Sequence, residues 1–456
     1  MDLAAVVLAA GKGTRMKSER PKVLHTVCGK PMVTHVIDAV ERAGAEEIVV
    51  VVGYKGEAVQ RELGNRVTTV FQKEQLGTAH ALLQARPVLE SFRGNILVVC
   101  GDTPLINHST LESLVAEFEG NGCTAAVLTA LVEDPTGYGR VIRDSRGNIS
   151  KIVEQKDAGP GELAVKEINT GIYLFASEGL FDMLSRLDAD NAQGEYYLTD
   201  IIEMYNKKGH KVTAVSNARS WEILGVNDRR QLAAVDKIMR QKVLEEFMLS
   251  GVTIIDPDTT FIHKEARIGL DTVIYPFTII EGKTVIGDNC NIGPSTRLVN
   301  AKIGKGVKVE QSTIYDSIAG DGCMIGPFAY IRPGCVLGKE VKVGDFVEMK
   351  KVSVGDGSKV PHLTYLGDSE IGKSVNVGAG TITCNYDGEN KHPTYIGDGA
   401  FIGSNANLVA PVRIGEKAVI GAGSTITKDV PPAALGVARS KQKVYDKWKS
   451  GKGDKD

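Results

Sequence analysis

IGPFAYIRPGCVLGKEVKVGDFVEM, residues 325–349, carries an aliphatic residue or methionine at Ile325, Ile331, Leu337, Val343 and Met349, six residues apart each time. The rhythm continues through Val354, Val360, Leu366, Ile371 and Val377. It resumes at Ile396, Ile402, Leu408, Ile414, Ile420 and Ile426. A period of six fits neither an α-helix nor a flat, half-buried sheet. It fits a parallel β-helix of short strands, in which one aliphatic side chain per strand is stacked inward. Glycine often follows the aliphatic residue, as at Gly326, Gly344, Gly372, Gly403, Gly415 and Gly421, where a tight corner leaves no room for a Cβ. Thr383–Tyr395 (TCNYDGENKHPTY) lacks the marker and is polar. It is expected to be a loop thrown out from the coil, and such insertions often carry the binding face of a solenoid.

Upstream the pattern changes. Leu3–Ala10, Glu47–Gly53, Val67–Gln72 and Ile96–Gly101 are apolar runs of strand length, with helical spacing in Pro31–Ala43 and Thr78–Leu89 between them. Strands alternating with helices predict a layered α/β domain with parallel pairing, its ligand crevice at the carboxyl ends of the strands. That rule selects the loop after Ala10 and Asp102. Between the two halves, Leu232, Val235, Ile238, Met239, Val243 and Phe247 share one helical face. The expected organisation is an α/β domain over residues 1–227, a connecting helix over 228–250 and a β-helix over 251–456. The lysine-rich stretch Ser440–Asp456 is expected to be a weakly ordered tail.

The formal net charge of −2 over 456 residues argues against a dedicated nucleic-acid binder. No apolar run is long enough to span a bilayer, so no stable membrane association is expected. The seven cysteines are scattered without a CxxC pair, which points to a reducing, cytoplasmic setting. The eight histidines show no metal-ligand spacing.

LAAGKGTRM (Leu8–Met16) follows the first strand but matches neither the P-loop nor the GxGxxG spacing. A glycine-rich loop with Lys12 and Arg15, and Lys22 beyond it, suits a polyphosphate: small residues admit backbone N–H groups, and the cations offset charge. PKVLH (Pro21–His25), QLGTAHA (Gln75–Ala81), GDTPL (Gly101–Leu105), GYGR (Gly137–Arg140), Glu154, NTGIY (Asn169–Tyr173) and GVND (Gly225–Asp228) follow in order. This series resembles the sugar-phosphate nucleotidyltransferases. Joined to the hexapeptide rhythm, it is similar over nearly the full length to the bacterial family of bifunctional N-acetylglucosamine-1-phosphate uridylyltransferase/glucosamine-1-phosphate acetyltransferases.

The resemblance implies a Rossmann-like nucleotidyltransferase domain and a left-handed β-helix, assembled as a homotrimer that supplies precursors of peptidoglycan and lipopolysaccharide. It implies that Leu8, Ala9, Ala10, Gly11, Gln72, Gly77 and Thr78 hold the uridine of UTP, and that Arg15 and Lys22 neutralise phosphates. Gly139, Glu154, Asn169 and Asn227 would contact the N-acetylated sugar, and Asp102 and Asn227 would ligate Mg²⁺. In the second half it makes His362 the general base, a role for which imidazole is suited near neutral pH. Arg332, Lys350, Tyr365 and Asn376 would hold glucosamine-1-phosphate, with Asn385 and Tyr386 orienting the acceptor beside acetyl-CoA. Ala379, Ser404, Ala422 and Arg439 would bind acetyl-CoA. Both Asn385 and Tyr386 lie in the segment that breaks the rhythm.

Overall fold

The computed structural model describes residues 2–216 and 219–445; residues 446–456 of the expected tail lie outside them. The chain divides between Met239 and Arg240 into two compact units.

The first unit is built on a sheet in the spatial order Val212–Ser216, Ala125–Leu131, Glu167–Ala176, Asn95–Cys100, Leu3–Ala9, Glu47–Val52, Thr68–Phe71. Leu3–Ala9 is central and pairs in parallel with both Glu47–Val52 and Asn95–Cys100. Ala5 and Val7 enter one apolar layer, whereas Ala4 and Val6 enter the other. Both faces are therefore covered, which is why the run is apolar throughout rather than alternating. Two sequence expectations need correcting. Glu167–Ala176 runs antiparallel to both neighbours: it returns from Ala125–Leu131 through the hairpin Arg140–Arg143/Ile149–Val153 without the helical crossover that parallel pairing requires. The helix expected over Thr78–Leu89 is two pieces, Thr78–Leu83 and Arg86–Leu89, with Pro87 in the first turn of the second. Proline lacks the N–H needed to continue the first helix.

The helix Arg229–Leu249 buries Val235, Met239, Val243 and Leu244. Its start is capped by Asp228, whose carboxylate accepts from the backbone N–H groups of Arg230 (2.8 Å) and Gln231 (2.9 Å).

The second unit is a parallel β-helix. Three stacks of short strands run along it, shown by the pairs Val273↔Asn291, Ile279↔Arg297 and Val285↔Lys302. Every position of the six-residue rhythm from Ile325 to Ile426 is buried. The corner glycines are sterically required: a Cβ on Gly287 would come within 2.8 Å of the Gly304 backbone in the next coil, and one on Gly355 within 2.6 Å of Gly372. The interrupting segment is shorter than its polarity suggests. Thr383 pairs with Leu408, and Thr394 with Val412. Both belong to the coil, so the projecting loop is 385–393, closed by a bridge between Tyr386 and Lys391.

Candidate active sites

In the first unit, the strand Leu3–Ala9 ends in a loop that carries a 3-10 turn at Thr14–Met16. Gly13 has φ +62°, and a Cβ there would lie 2.6 Å from the Lys22 Cβ, so glycine lets Lys22 stand beside the loop. The Lys22 ammonium donates to Asp102, which follows the strand Asn95–Cys100, and to the amide oxygen of Asn227 at 3.2 Å. The backbone joins these two acceptors: Val226 N–H donates to the Asp102 carbonyl at 3.0 Å, and Asn227 N–H donates to the Gln231 side chain at 2.8 Å. Asp102 does not cap the following helix, because Asn107 does. A carboxylate and an amide oxygen thus converge on one cation, a donor pair that fits a hard divalent ion keeping most of its other ligands from water and phosphate. Among the described residues no cluster of three or more His, Cys, Asp or Glu side chains offers a rival metal site.

Two compartments lie at this end of the sheet; Lys22 and Asp102 line the first only, and Asn227 lines neither. One is lined by Leu8, Ala9, Ala10, Gly11, Lys22, Gln72, Gly77, Thr78 and Asp102. The other is lined by Leu8, Thr78, Gly139, Glu154 and Asn169, with Tyr138, Tyr173 and Thr199. Leu8, Thr78 and Cys100 line both, so the compartments are halves of one crevice at the carboxyl ends of the strands. Buried Gln72 donates to the Gly77 carbonyl at 3.2 Å. Gly77 has φ +113°, with Tyr196 too close to admit a Cβ. Asn169 donates to the Tyr173 hydroxyl (2.8 Å), and its N–H bonds to the Gly139 carbonyl (2.9 Å). Burial raises the Glu154 pKa, partly offset by the neighbouring Thr199 hydroxyl, and the charges of Asp200, Asp157 and Glu195 raise it further. Burial, and secondarily Asp102, pushes the Cys100 thiol up to about 12, so this thiol stays neutral and is not itself a ready nucleophile. Arg15 is exposed on the 3-10 turn and is not among the residues lining the crevice. Sequence reasoning gave no role to Cys100, which precedes GDTPL, to Tyr138, which lies within GYGR, or to Thr199, which adjoins no quoted motif.

In the second unit, His362 lies at the end of the strand Lys359–His362 and pairs in register with Asp345 of the preceding coil. Its Nδ1 is 2.5 Å from Asp345 Oδ1. That contact lowers the Asp345 pKa, first through the hydrogen bond and then through charge. The coil register aligns the rest. Lys359 pairs with Asn376, Asn376 with Phe401, and Phe401 with Val419. Three residues beyond each lie His362, Ala379, Ser404 and Ala422, one column on successive coils. Arg439 donates to the Ala422 carbonyl at 3.0 Å and closes the column.

Around the next corner, Arg332 pairs with Glu348 at 2.8 Å, and Glu348 is in register with Tyr365. Asn385, at the root of the projecting loop, donates to Asp368 at 2.5 Å. A Cβ on Gly367 would lie 2.6 Å from the Tyr365 hydroxyl and 2.7 Å from the Asn385 amide nitrogen, so both groups occupy space that only glycine leaves open. The Lys350 pKa is lowered, chiefly by hydrogen bonding and charge from Lys391 of the loop, with lesser effects of burial and Arg332 and opposition from Asp368. Lys350 and Lys391 make this corner locally cationic beside Arg332, which is paired with Glu348, a setting that suits an anionic group. Tyr386 is exposed and donates to the Gly388 carbonyl within its own loop. Asp345, Glu348, Gly367, Asp368 and Lys391 were not found from the sequence. The first two lie one coil before His362 and Tyr365, so the coil register was the signal that could have found them.

Residues 4–236 match the Nucleotidyl transferase family, residues 254–360 the GMPPB C-terminal domain, and residues 393–428 the Bacterial transferase hexapeptide (six repeats). The chain is 59% identical over 455 residues to the bifunctional protein GlmU of Pelotomaculum thermopropionicum, covering 100% of each chain. It is 52% identical over 444 residues to that of Heliobacterium modesticaldum, covering 97% of each. It is 53% identical over 438 residues to that of a Geobacillus strain, covering 96% of this chain and 95% of the relative. With a nucleotidyltransferase crevice on one unit, a hexapeptide coil on the other and these relatives along its whole length, the chain belongs to the family of bifunctional GlmU proteins.

Proposed function

We propose that the two units carry out consecutive steps in making UDP-N-acetylglucosamine, with the residue roles given below. The chain is a bifunctional transferase, an acetyltransferase and a uridylyltransferase, acting on small-molecule acyl and nucleotide substrates.

In the acetyl step, glucosamine-1-phosphate places its phosphate among Arg332, Lys350 and Lys391, with Tyr365, Asn376 and Asn385 around the sugar and Tyr386 beside Asn385 at the base of the loop. Acetyl-CoA lies along the column of Ala379, Ser404 and Ala422, with Arg439 at its end. The sugar amine attacks the thioester carbonyl, a C–N bond forms, and the C–S bond breaks as coenzyme A leaves. His362 Nε2 takes the proton from the attacking amine. The observation that carries this reading is the alignment of His362 with that column while its Nδ1 is engaged by Asp345.

In the uridylyl step, UTP lies against Leu8–Gly11, Gln72, Gly77 and Thr78. N-acetylglucosamine-1-phosphate occupies the half lined by Gly139, Glu154 and Asn169. A phosphate oxygen of the sugar attacks the α-phosphorus of UTP, and pyrophosphate leaves. The nucleophile is already anionic, so the residues need only align it and offset charge. Asp102 and Asn227 would hold Mg²⁺, which supplies charge neutralisation at the phosphates when bound. Lys22 and, if the loop brings it inward, Arg15 would neutralise the rest.

The test is a coupled assay with glucosamine-1-phosphate, acetyl-CoA and UTP, each omitted in turn. Thiol release should need only the first two, and pyrophosphate release all three. Pyrophosphate release without acetyl-CoA would overturn the order.

No helix among the described residues is long and apolar enough to cross a membrane, and the proposed setting is the cytoplasm. The β-helix exposes Phe277, Phe328, Phe346 and Leu363, with the Phe328 and Phe346 rings stacked 5.4 Å apart. An apolar stripe of this kind suits subunit contact, and a homotrimer is the proposed assembly. Light scattering should give about three times the 48.9 kDa chain mass; an active monomer would exclude it.

A further inference from the structure

We infer that Asp345 is a positioning residue for acetyl transfer: it holds His362 in the one tautomer and ring orientation that turn Nε2 toward the acceptor amine. The inference rests on the reading of His362 as the general base.

The geometry carries it. Asp345 and His362 occupy paired positions on adjacent coils, so the backbone ladder sets their separation, and Oδ1 meets Nδ1 at 2.5 Å. A carboxylate can only accept in such a contact, so Nδ1 must be the nitrogen that carries hydrogen. Nε2 is then the unprotonated nitrogen, the form a base needs. When Nε2 takes the proton from the amine, the imidazolium that forms lies against a negative charge already in place. The fixed corner supports this: Leu363, next to His362, has φ +45° and donates its N–H to the Asp345 carbonyl at 2.9 Å, while the Thr364 hydroxyl donates to the His362 carbonyl at 2.6 Å. The histidine backbone is thus anchored, and Asp345 sets what remains free, the ring. The pair faces solvent, with His362 57% and Asp345 37% exposed. Exposed pairs contribute little to folding, so the role is separable from stability.

The experiment measures thiol release at saturating and limiting substrate for Asp345→Asn, Asp345→Ala, His362→Ala and the double variant His362→Ala/Asp345→Ala, with thermal melting of each. Asp345→Ala is expected to lower kcat about a hundredfold, with KM for glucosamine-1-phosphate within about threefold. Asp345→Asn should recover part of that loss, because its amide oxygen still accepts from Nδ1 but brings no charge. In the His362→Ala background the loss of Asp345 should cost nothing further, since two residues acting as one unit are not additive. Wild-type kcat in Asp345→Ala beside an inactive His362→Ala would overturn the inference and leave the base assignment standing. Full activity in His362→Ala would overturn the base assignment itself. An additive loss in the double variant, or a loss that follows a lowered melting temperature, would make Asp345 merely structural and overturn the inference.

Discussion

The ammonium of Lys22 bridges Asp102 and Asn227, residues far apart in the chain, and its contact with Asn227 measures 3.2 Å. A lysine in this position does what a divalent ion would do: it satisfies two converging oxygens that would otherwise repel each other or need water. The Asp102 carboxylate thus has its counter-charge within the chain, and the parts of the crevice can be tested separately.

Asp102→Ala should lose most uridylyl transfer, by two orders of magnitude or more, because one removed electrostatic contact to a transferring group costs about 10²–10³ in rate. Acetyl transfer should stay near normal, since the change lies on the other unit. Pyrophosphate and thiol release measured separately give the answer. An equal loss of both would contradict the division of labour.

His362→Ala should lower acetyl transfer by roughly two orders of magnitude, the lower end for a lost general base. Uridylyl transfer from supplied N-acetylglucosamine-1-phosphate should persist. Because the side chain is exposed, the melting temperature should hardly move. If acetylation is unchanged, Tyr365 is the next residue to replace.

Gly367→Ala probes the sugar pocket without touching a charge. The new methyl would press on the Tyr365 hydroxyl and the Asn385 amide, both at the ends of side chains that can swing away. The expected outcome is a KM for glucosamine-1-phosphate raised about tenfold, equivalent to about 1.4 kcal/mol of binding, with the fold intact. A KM equal to that of the unmodified protein would place the sugar elsewhere.

Asp200 gives a pH dependence of stability. Its pKa is raised from 3.8 to about 6, by burial first and then by the charges of Asp188, Glu203 and Asp157. A raised folded-state pKa means that the acid's contribution is fully present below its unfolded pKa and is lost as pH climbs through about 6. Asp200→Asn should therefore gain on the unmodified protein above pH 6, by on the order of 1–2 kcal/mol. The gap should narrow toward pH 4. Denaturant melts of the first unit at pH 4, 6 and 8 would show it, and a gap that widens on acidification would refute the assignment.

The sequence was most legible where one physical demand repeats. An inward position on a narrow coil tolerates only aliphatic side chains of similar size, so Ile325 through Ile426 announced the β-helix by spacing alone. Asp102 was legible because a polar residue at the end of a buried strand has few structural reasons to be there. Asp345 was not, since an aspartate before Phe346 on an exposed corner looks like any solvated side chain until the coil sets it beside His362. The antiparallel course of Glu167–Ala176 was hidden for a related reason: strand direction is decided by the connection, and a hairpin excursion at Arg140–Val153 leaves no mark within the strand itself. The break at Pro87 was written in the sequence, and a helical pattern of apolar residues on both sides masked it.

The loop 385–393 makes the path from Ala379 to Ser404 longer than the path from His362 to Ala379, yet each is a single coil. The coil therefore counts corners, not residues. Length can be added freely where the chain swings outside, and even without a loop the coil varies while register holds: Val309 pairs with Ile292, Ile325 with Val309 and Val343 with Ile325 across 17, 16 and 18 residues. A comparison of related chains by plain sequence distance would misplace the far end of this column. One that counts revolutions would keep His362 and Arg439 at a constant address, whatever grows on the loop between them.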